Sequence, residues 1–96
     1  MTLDLHVEPA RLDEARALID QVLTEARAFD GCIDVGVLVD AEDPNHWIGY
    51  EKWETVEHDA AYREFRAGAG KVTGLGPLLS AAPVMTRLLD HSLSSG

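Results

Sequence analysis

The chain has 96 residues, 46% of them hydrophobic, enough for one small domain, and no run approaches the ~20 apolar residues that cross a bilayer. Eight Lys and Arg against 17 Asp and Glu leave a net charge of −9, which repels phosphate backbones and anionic lipid and excludes nucleic acid and membrane as expected partners. The single cysteine, Cys32, excludes an internal disulfide framework, and Met1–Asp4 shows neither the basic nor the apolar region of a leader, so a cytoplasmic location is expected.

Thr2 to Val7 alternates, with Leu3, Leu5 and Val7 on one side, and reads as a short strand that Glu8-Pro9 ends. From Arg11 to Phe29, apolar residues recur at spacings of three and four (Leu12, Ala15, Leu18, Ile19, Val22, Leu23, Ala26), the stripe of an amphipathic helix. Asp13 and Glu14 complement the helix dipole in its first turn, and Gly31 is placed to take a left-handed conformation at its end. Cys32 to Val39 predicts a strand with Ile33, Val35, Val37 and Val39 on one face. The turn formers 40–45 then lead into a partner strand, His46 to Trp53, making an antiparallel hairpin.

Thr55 is a suitable N-cap for a second helix, Val56 to Ala67, whose stripe is His58, Ala61, Tyr62 and Phe65. Gly68, Gly70, Gly74 and Gly76 punctuate the next stretch, a flexible connection or hinge broken by a short turn at 75–79. Val84 to Leu89 predicts the last strand, with Arg87 inside it. Residues 1–90 form the domain and 91–96 a polar tail. The order β-α-β-β-α-β predicts an α+β, ferredoxin-like split βαβ fold, with a four-stranded antiparallel sheet and both helices on one face. A second subunit is the usual cover for the other face.

Several familiar motifs fail on inspection. A phosphate loop would need glycine five residues before Gly70-Lys71, where Phe65 stands, and Ser or Thr after it, where Val72 stands. A dinucleotide fingerprint starting at Gly68 would need glycine at position 73, which is Thr73. The four histidines include no i, i+4 pair on one helix, so no metal site is expected. Cys32 has no basic neighbour in sequence to activate its thiol. What remains is an aromatic set: Trp47, Tyr50 and Trp53 on one strand, and His58, Tyr62 and Phe65 on the next helix. These side chains suit either a flat apolar pocket that offers polar groups to a bound ring or a packed sheet-to-helix core.

The run Tyr50-Glu51-Lys52-Trp53-Glu54-Thr55-Val56-Glu57-His58 resembles a signature of the antibiotic biosynthesis monooxygenase family: Glu-x-Trp closing the third strand, a Glu-Thr or Glu-Ser step, then the second helix. Phe29-Asp30-Gly31-Cys32-Ile33 is similar to the family's helix-ending segment, and Leu78-Leu79 and Pro83-Val84 to its closing element and last strand. The resemblance implies a dimeric α/β barrel, that is, a homodimer with a pocket between each sheet and its helices. It also implies oxidation of hydroxylated aromatics, such as quinols and anthrone-like compounds, by O2 without flavin, metal or haem.

On this resemblance, His58 and Tyr62 are the candidate catalytic residues, for proton transfer or hydrogen bonding to a substrate hydroxyl. An imidazole, ordinarily near pKa ~6.5, suits proton acceptance better than a phenol near ~10. Trp47, Tyr50, Trp53 and Phe65 would stack the ring, and Arg87 would hold a developing oxyanion. The sequence departs from the family pattern nine places after Trp53, where Tyr62 replaces the histidine of many members and the tryptophan of haem-degrading relatives. No histidine occurs between 59 and 90, and the first strand lacks the asparagine that haem-degrading relatives use. Haem degradation is therefore disfavoured. The alternatives on the same scaffold are a non-oxidative isomerase, cyclase or decarboxylase, and a ligand-binding or stress-associated dimer without chemistry.

Overall fold

The N-terminal alternation has the outcome its period requires: Leu5 and Val7 are buried while His6 is exposed. The computed structural model describes residues 1–88. Its elements are β1 (Thr2–His6), α1 (Leu12–Arg27), β2 (Cys32–Asp40), β3 (Asp43–Trp53), α2 (Val56–Ala67) and β4 (Val84–Thr86). Short 3-10 turns lie at Pro9–Arg11 and Gly76–Leu78. All four strands join one antiparallel sheet in the order β2-β3-β1-β4, the ferredoxin-like arrangement. The last strand was expected over 84–89 with Arg87 inside it; β4 ends at Thr86 instead, and Leu89 and the polar tail lie outside the described residues.

Register decides which side chains meet the helices. Leu5 pairs with Trp47 and Leu3 with Gly49, while Val37 pairs with Gly49, Val35 with Glu51 and Cys32 with Trp53. Paired residues share a face and the face alternates along each strand. Trp47, Gly49, Glu51 and Trp53 therefore look toward the helices, and His46, Ile48, Tyr50 and Lys52 look the other way. Two side chains depart from the sequence reading. Tyr50 lies across Gly36 on the open face. Ile33 sits in a bulge between Cys32 and Asp34, which throws it out of the inward stripe and leaves it 57% exposed. The hairpin is also tighter than expected, because Asp40 pairs with Asp43 and only Ala41-Glu42 make the turn.

The core has two parts. Leu5, Val7, Ala15, Ile19, Trp47 and Leu78 pack under the first half of α1. Ala26, Val35 and Tyr62 pack under its second half and α2, with Phe29, Trp53 and Phe65 against them. Leu23 touches both clusters. α1 stops at Arg27, two residues short of the expected end. The Phe29 amide donates to Ala26 O at 3.1 Å, and Gly31, at φ +85°, turns the chain into β2.

On the open face, His46 bridges two carboxylates. Its Nδ1 lies 3.0 Å from Asp40 Oδ2 and its Nε2 2.8 Å from Asp4 Oδ1, and the His6 ring stacks on it at 4.6 Å. The bond to Asp40, then that to Asp4, holds the imidazole above its ordinary pKa. The bond from His46, then the Glu42 amide, holds the Asp40 carboxyl below its own. The His46 contribution is complete below the unfolded imidazole value and is lost as pH rises through the raised folded value. The Asp40 contribution is present above its unfolded value and is lost as pH falls through its lowered folded value. The stability advantage of wild type over His46→Gln, measured by urea denaturation, should therefore be greatest between about pH 4 and 6.5 and shrink at higher pH. A constant difference from pH 5 to 9 would contradict the bridge.

Candidate functional site

Between the two core clusters lies a cavity of about 70 Å³, partly open to solvent. α1 supplies Ile19, Val22, Leu23 and Ala26 as one wall. The sheet supplies Leu3, Leu5, Val35 and Val37, with Gly49 between them and Met85 at the edge. Three polar side chains border it from the helix-facing side: Glu51, Tyr62 and Arg63. An apolar cavity of ~150 Å³ holds benzene, so this one seats an aromatic ring only in part. It adjoins a wide cleft of about 520 Å³ along α1 and β2, and the two share Ile19, Leu23, Val35, Gly36, Val37 and Tyr50. The cleft adds Arg16, Asp20, Arg27 and Asp34 at its polar rim.

Tyr62 is the one residue of α2 that is buried, at 1% exposure. Its ring packs 4.7 Å from Trp53 and edge-on to Phe29 at 5.2 Å, with Phe65 at 6.2 Å. The Arg66 Nε–H donates to its hydroxyl oxygen at 2.7 Å. The same guanidinium donates to Glu25 Oε1 at 2.9 Å, Gly70 O at 3.0 Å and Val22 O at 3.2 Å, tying α2 to α1 and to the glycine segment. Burial pushes the Tyr62 phenol above its ordinary pKa, and Arg66 opposes that only in part. Tyr62 is therefore a neutral phenol at neutral pH.

Beside it, Arg63 pairs with Glu51 across the cavity wall and with Asp59 at 3.2 Å one turn back along α2. The Trp53 indole N–H donates to the same Glu51 oxygen at 3.2 Å. The Arg63 guanidinium lies 4.7 Å from the centre of the Tyr62 ring. Two arginines thus flank one buried phenol, each with a carboxylate partner.

The model of the antibiotic biosynthesis monooxygenase family matches residues 2–69. The chain belongs to that family. Among solved structures of similar fold, an antibiotic biosynthesis monooxygenase shares 15% identity, with 92% of this chain and 96% of that one covered and a TM-score of 0.74. A conserved protein from Methanosarcina mazei shares 22% identity over 86% and 82% of the two chains, with a TM-score of 0.71. Rv0793 from Mycobacterium tuberculosis shares 22% identity over 95% and 94%, with a TM-score of 0.68. No curated protein matches the sequence. Among the described residues, no helix is long and apolar enough to cross a membrane.

The expected site residues of this family member scatter around the cavity. Tyr62 borders it; Trp53 and Phe65 pack behind Tyr62 in the second core cluster. Trp47 is buried in the first cluster, where its indole N–H donates to Pro44 O at 2.9 Å, and it reaches only the wider cleft. Tyr50 borders both spaces from a position whose side chain belongs to the open face. Arg87 follows β4, exposed and outside both linings.

His58 also stands outside the cavity lining. Its amide donates to Thr55 Oγ1 at 3.2 Å, its Nδ1 lies 2.7 Å from the same oxygen, and its Nε2 is 3.5 Å from Asp30. It thereby belongs to the N-terminal cap of α2, resting on Gly31. Glu51, Arg63 and Arg66 were absent from the expected set because charged helix and strand residues ordinarily read as solvated. The Glu-x-Trp step was the available signal for Glu51. Burial raises the Cys32 thiol pKa, with Glu51 and Asp34 adding to it, which keeps that thiol protonated.

Gly31 carries the His58 ring where a side chain would begin. Gly31→Ala should cost about 1–3 kcal/mol, combining the left-handed backbone penalty with displacement of the imidazole. In a His58→Ala background the cost should fall toward the backbone part alone. Urea denaturation of the four proteins measures this, and equal costs in both backgrounds would separate His58 from Gly31.

Proposed function

We propose that this family member is a cofactor-independent monooxygenase that oxidises a hydroxylated aromatic, quinol- or anthrone-like, with O2. The observation that carries the reading is the cavity: apolar along α1 and over most of the sheet, with Glu51, Tyr62 and Arg63 together at one wall. An apolar enclosure suits both a flat ring and O2, and the polar wall suits the oxygen that loses its proton. Phenolates and enolates of this class donate electrons to O2 directly. For an anthrone-type substrate, the methylene becomes a carbonyl. One atom of O2 supplies the new oxygen, the other leaves as water, and all four electrons come from the substrate.

In this reading Tyr62 donates. Arg66 already gives its N–H to the phenol oxygen, so the phenolic hydrogen is directed elsewhere, toward an oxyanion on the ring. A neutral phenol held this way stabilises negative charge better than it accepts a proton. Glu51 is the carboxylate at the wall and the proposed proton acceptor. Arg63 holds Glu51 in place and balances the charge that develops. Trp53 and Phe65 keep the Tyr62 ring in position. His58, Trp47, Tyr50 and Arg87 have no step in the proposed chemistry.

The homodimer implied by the family is proposed as well. Leu38 pairs with Ile48 on the open face, and Leu38 and Val84 are 61% and 58% exposed there, an apolar surface that a second copy would cover.

A second reading, ligand binding without turnover, draws on one observation. Trp53, Tyr62, Phe29 and Phe65 already contact one another at 4.7–6.2 Å, as a packed core does.

Oxygen uptake by the metal-stripped protein against hydroquinones, anthrones and related phenols, with no cofactor added, separates the two. The oxygenase should exceed autoxidation, and Tyr62→Phe should lower kcat/KM about 10²-fold. Ligand binding with no uptake across the panel would leave the binding reading. Sedimentation as a monomer at micromolar concentration would contradict the dimer.

A further inference from the structure

Rings of this protein sit on three of its glycines, and Gly68, Gly74 and Gly76, which carry none, lie outside the strands. His58 covers Gly31, Tyr50 covers Gly36 and Phe65 covers Gly70, and in each case a Cβ on the glycine would collide with the ring. Each of these glycines has a packing reason to lack a side chain. Gly49 has none. A Cβ there would meet nothing nearer than Leu3 Cβ and Leu3 O, both at 3.8 Å, an ordinary contact distance. Its backbone does not need glycine either, since among the described residues the positive-φ glycine is Gly31. It lies inside β3, paired with Leu3 on one side and Val37 on the other. A strand interior is where glycine weakens the sheet, and where it otherwise marks close approach of a ligand or another backbone.

The alternation of β3 places this bare position on the helix-facing side, between Trp47 and Glu51, at the floor of the cavity. Those two side chains stand four residues apart on one face, roughly 13 Å along the strand. The space over Gly49 therefore opens, on the cavity side, toward the carboxylate of the polar wall, while Trp47 closes the first core cluster at the other end.

We infer that Gly49 is the specificity-determining residue of the cavity, its bare backbone seating one face of a flat aromatic ring supplied by the ligand. The inference rests on the reading of the cavity as a ligand site and adds a shape requirement. The ligand presents an unsubstituted planar face to the sheet and directs its oxygen along β3 toward Glu51, Tyr62 and Arg63. Puckered rings, and rings substituted on that face, are refused by the strand itself.

Isothermal titration calorimetry with phenol, 2-naphthol and cyclohexanol against wild type, Gly49→Ala and Gly49→Val tests this. Wild type should bind the two aromatics and prefer them to cyclohexanol. Gly49→Ala should weaken them about tenfold and Gly49→Val should abolish binding. The melting temperature of Gly49→Ala should equal or exceed that of wild type. Unchanged aromatic affinity in both variants would place the ring elsewhere and overturn the inference, while leaving the cavity protein a ligand binder. Unfolding of Gly49→Ala would give the glycine a structural reason and overturn it too. Failure of wild type to bind either aromatic would overturn this inference together with the proposed function.

Discussion

Helix α2 depends on Tyr62 for its seat on the sheet. It is the helix's one buried residue, and the ring is enclosed by Trp53 from β3, Phe29 from the turn after α1 and Phe65 from its own helix. Burial of such a side chain contributes about 1.5–3 kcal/mol, and each well-placed aromatic neighbour adds ~0.5–1.5 kcal/mol. The polar atom that this burial carries inward is satisfied by Arg66, which also holds α1 through Val22 O and Glu25. A small domain with little other contact between α2 and the sheet is thereby closed at one end, and Arg63 is brought to Glu51 at the cavity wall.

The cavity follows from the same division of labour. Trp47 fills the space under the first half of α1, and the Tyr62 cluster fills the space under the second. Between them β3 presents Gly49, and the two packed regions are bridged by Leu23. An apolar gap thus ends at a wall of charged and phenolic groups. The proposed function rests on this arrangement.

Much of this was legible in the chain. The alternation of Leu3, Leu5 and Val7, the helical stripe of α1, the Thr55 cap and the left-handed Gly31 each follow from a local rule, and the element order then dictates the topology. The sequence reading set Tyr50 beside Trp47 and Trp53; the register of β3 puts Trp47, Gly49, Glu51 and Trp53 on one face and Tyr50 on the other. Ile33 was not readable, because its bulge depends on the long-range pairing of Cys32 with Trp53. His58 was read from the resemblance as a catalytic candidate; its contacts with Thr55 in the cap of α2 were not part of that reading. Arg63 and Arg66 look like ordinary surface charges until folding brings Glu51 and the Val22 carbonyl to them.

On the proposed function, a ring ligand enters between the sheet and the helices. Methyl-resolved NMR during titration with 2-naphthol tests it most directly. The ring current should move the methyl signals of Leu5, Leu23, Val35 and Val37, which border the cavity, and leave Leu38, Ile48 and Val84 on the open face unmoved. Shifts confined to Leu38, Ile48 and Val84 would put the ligand on the opposite side of the sheet and contradict the site described for this protein.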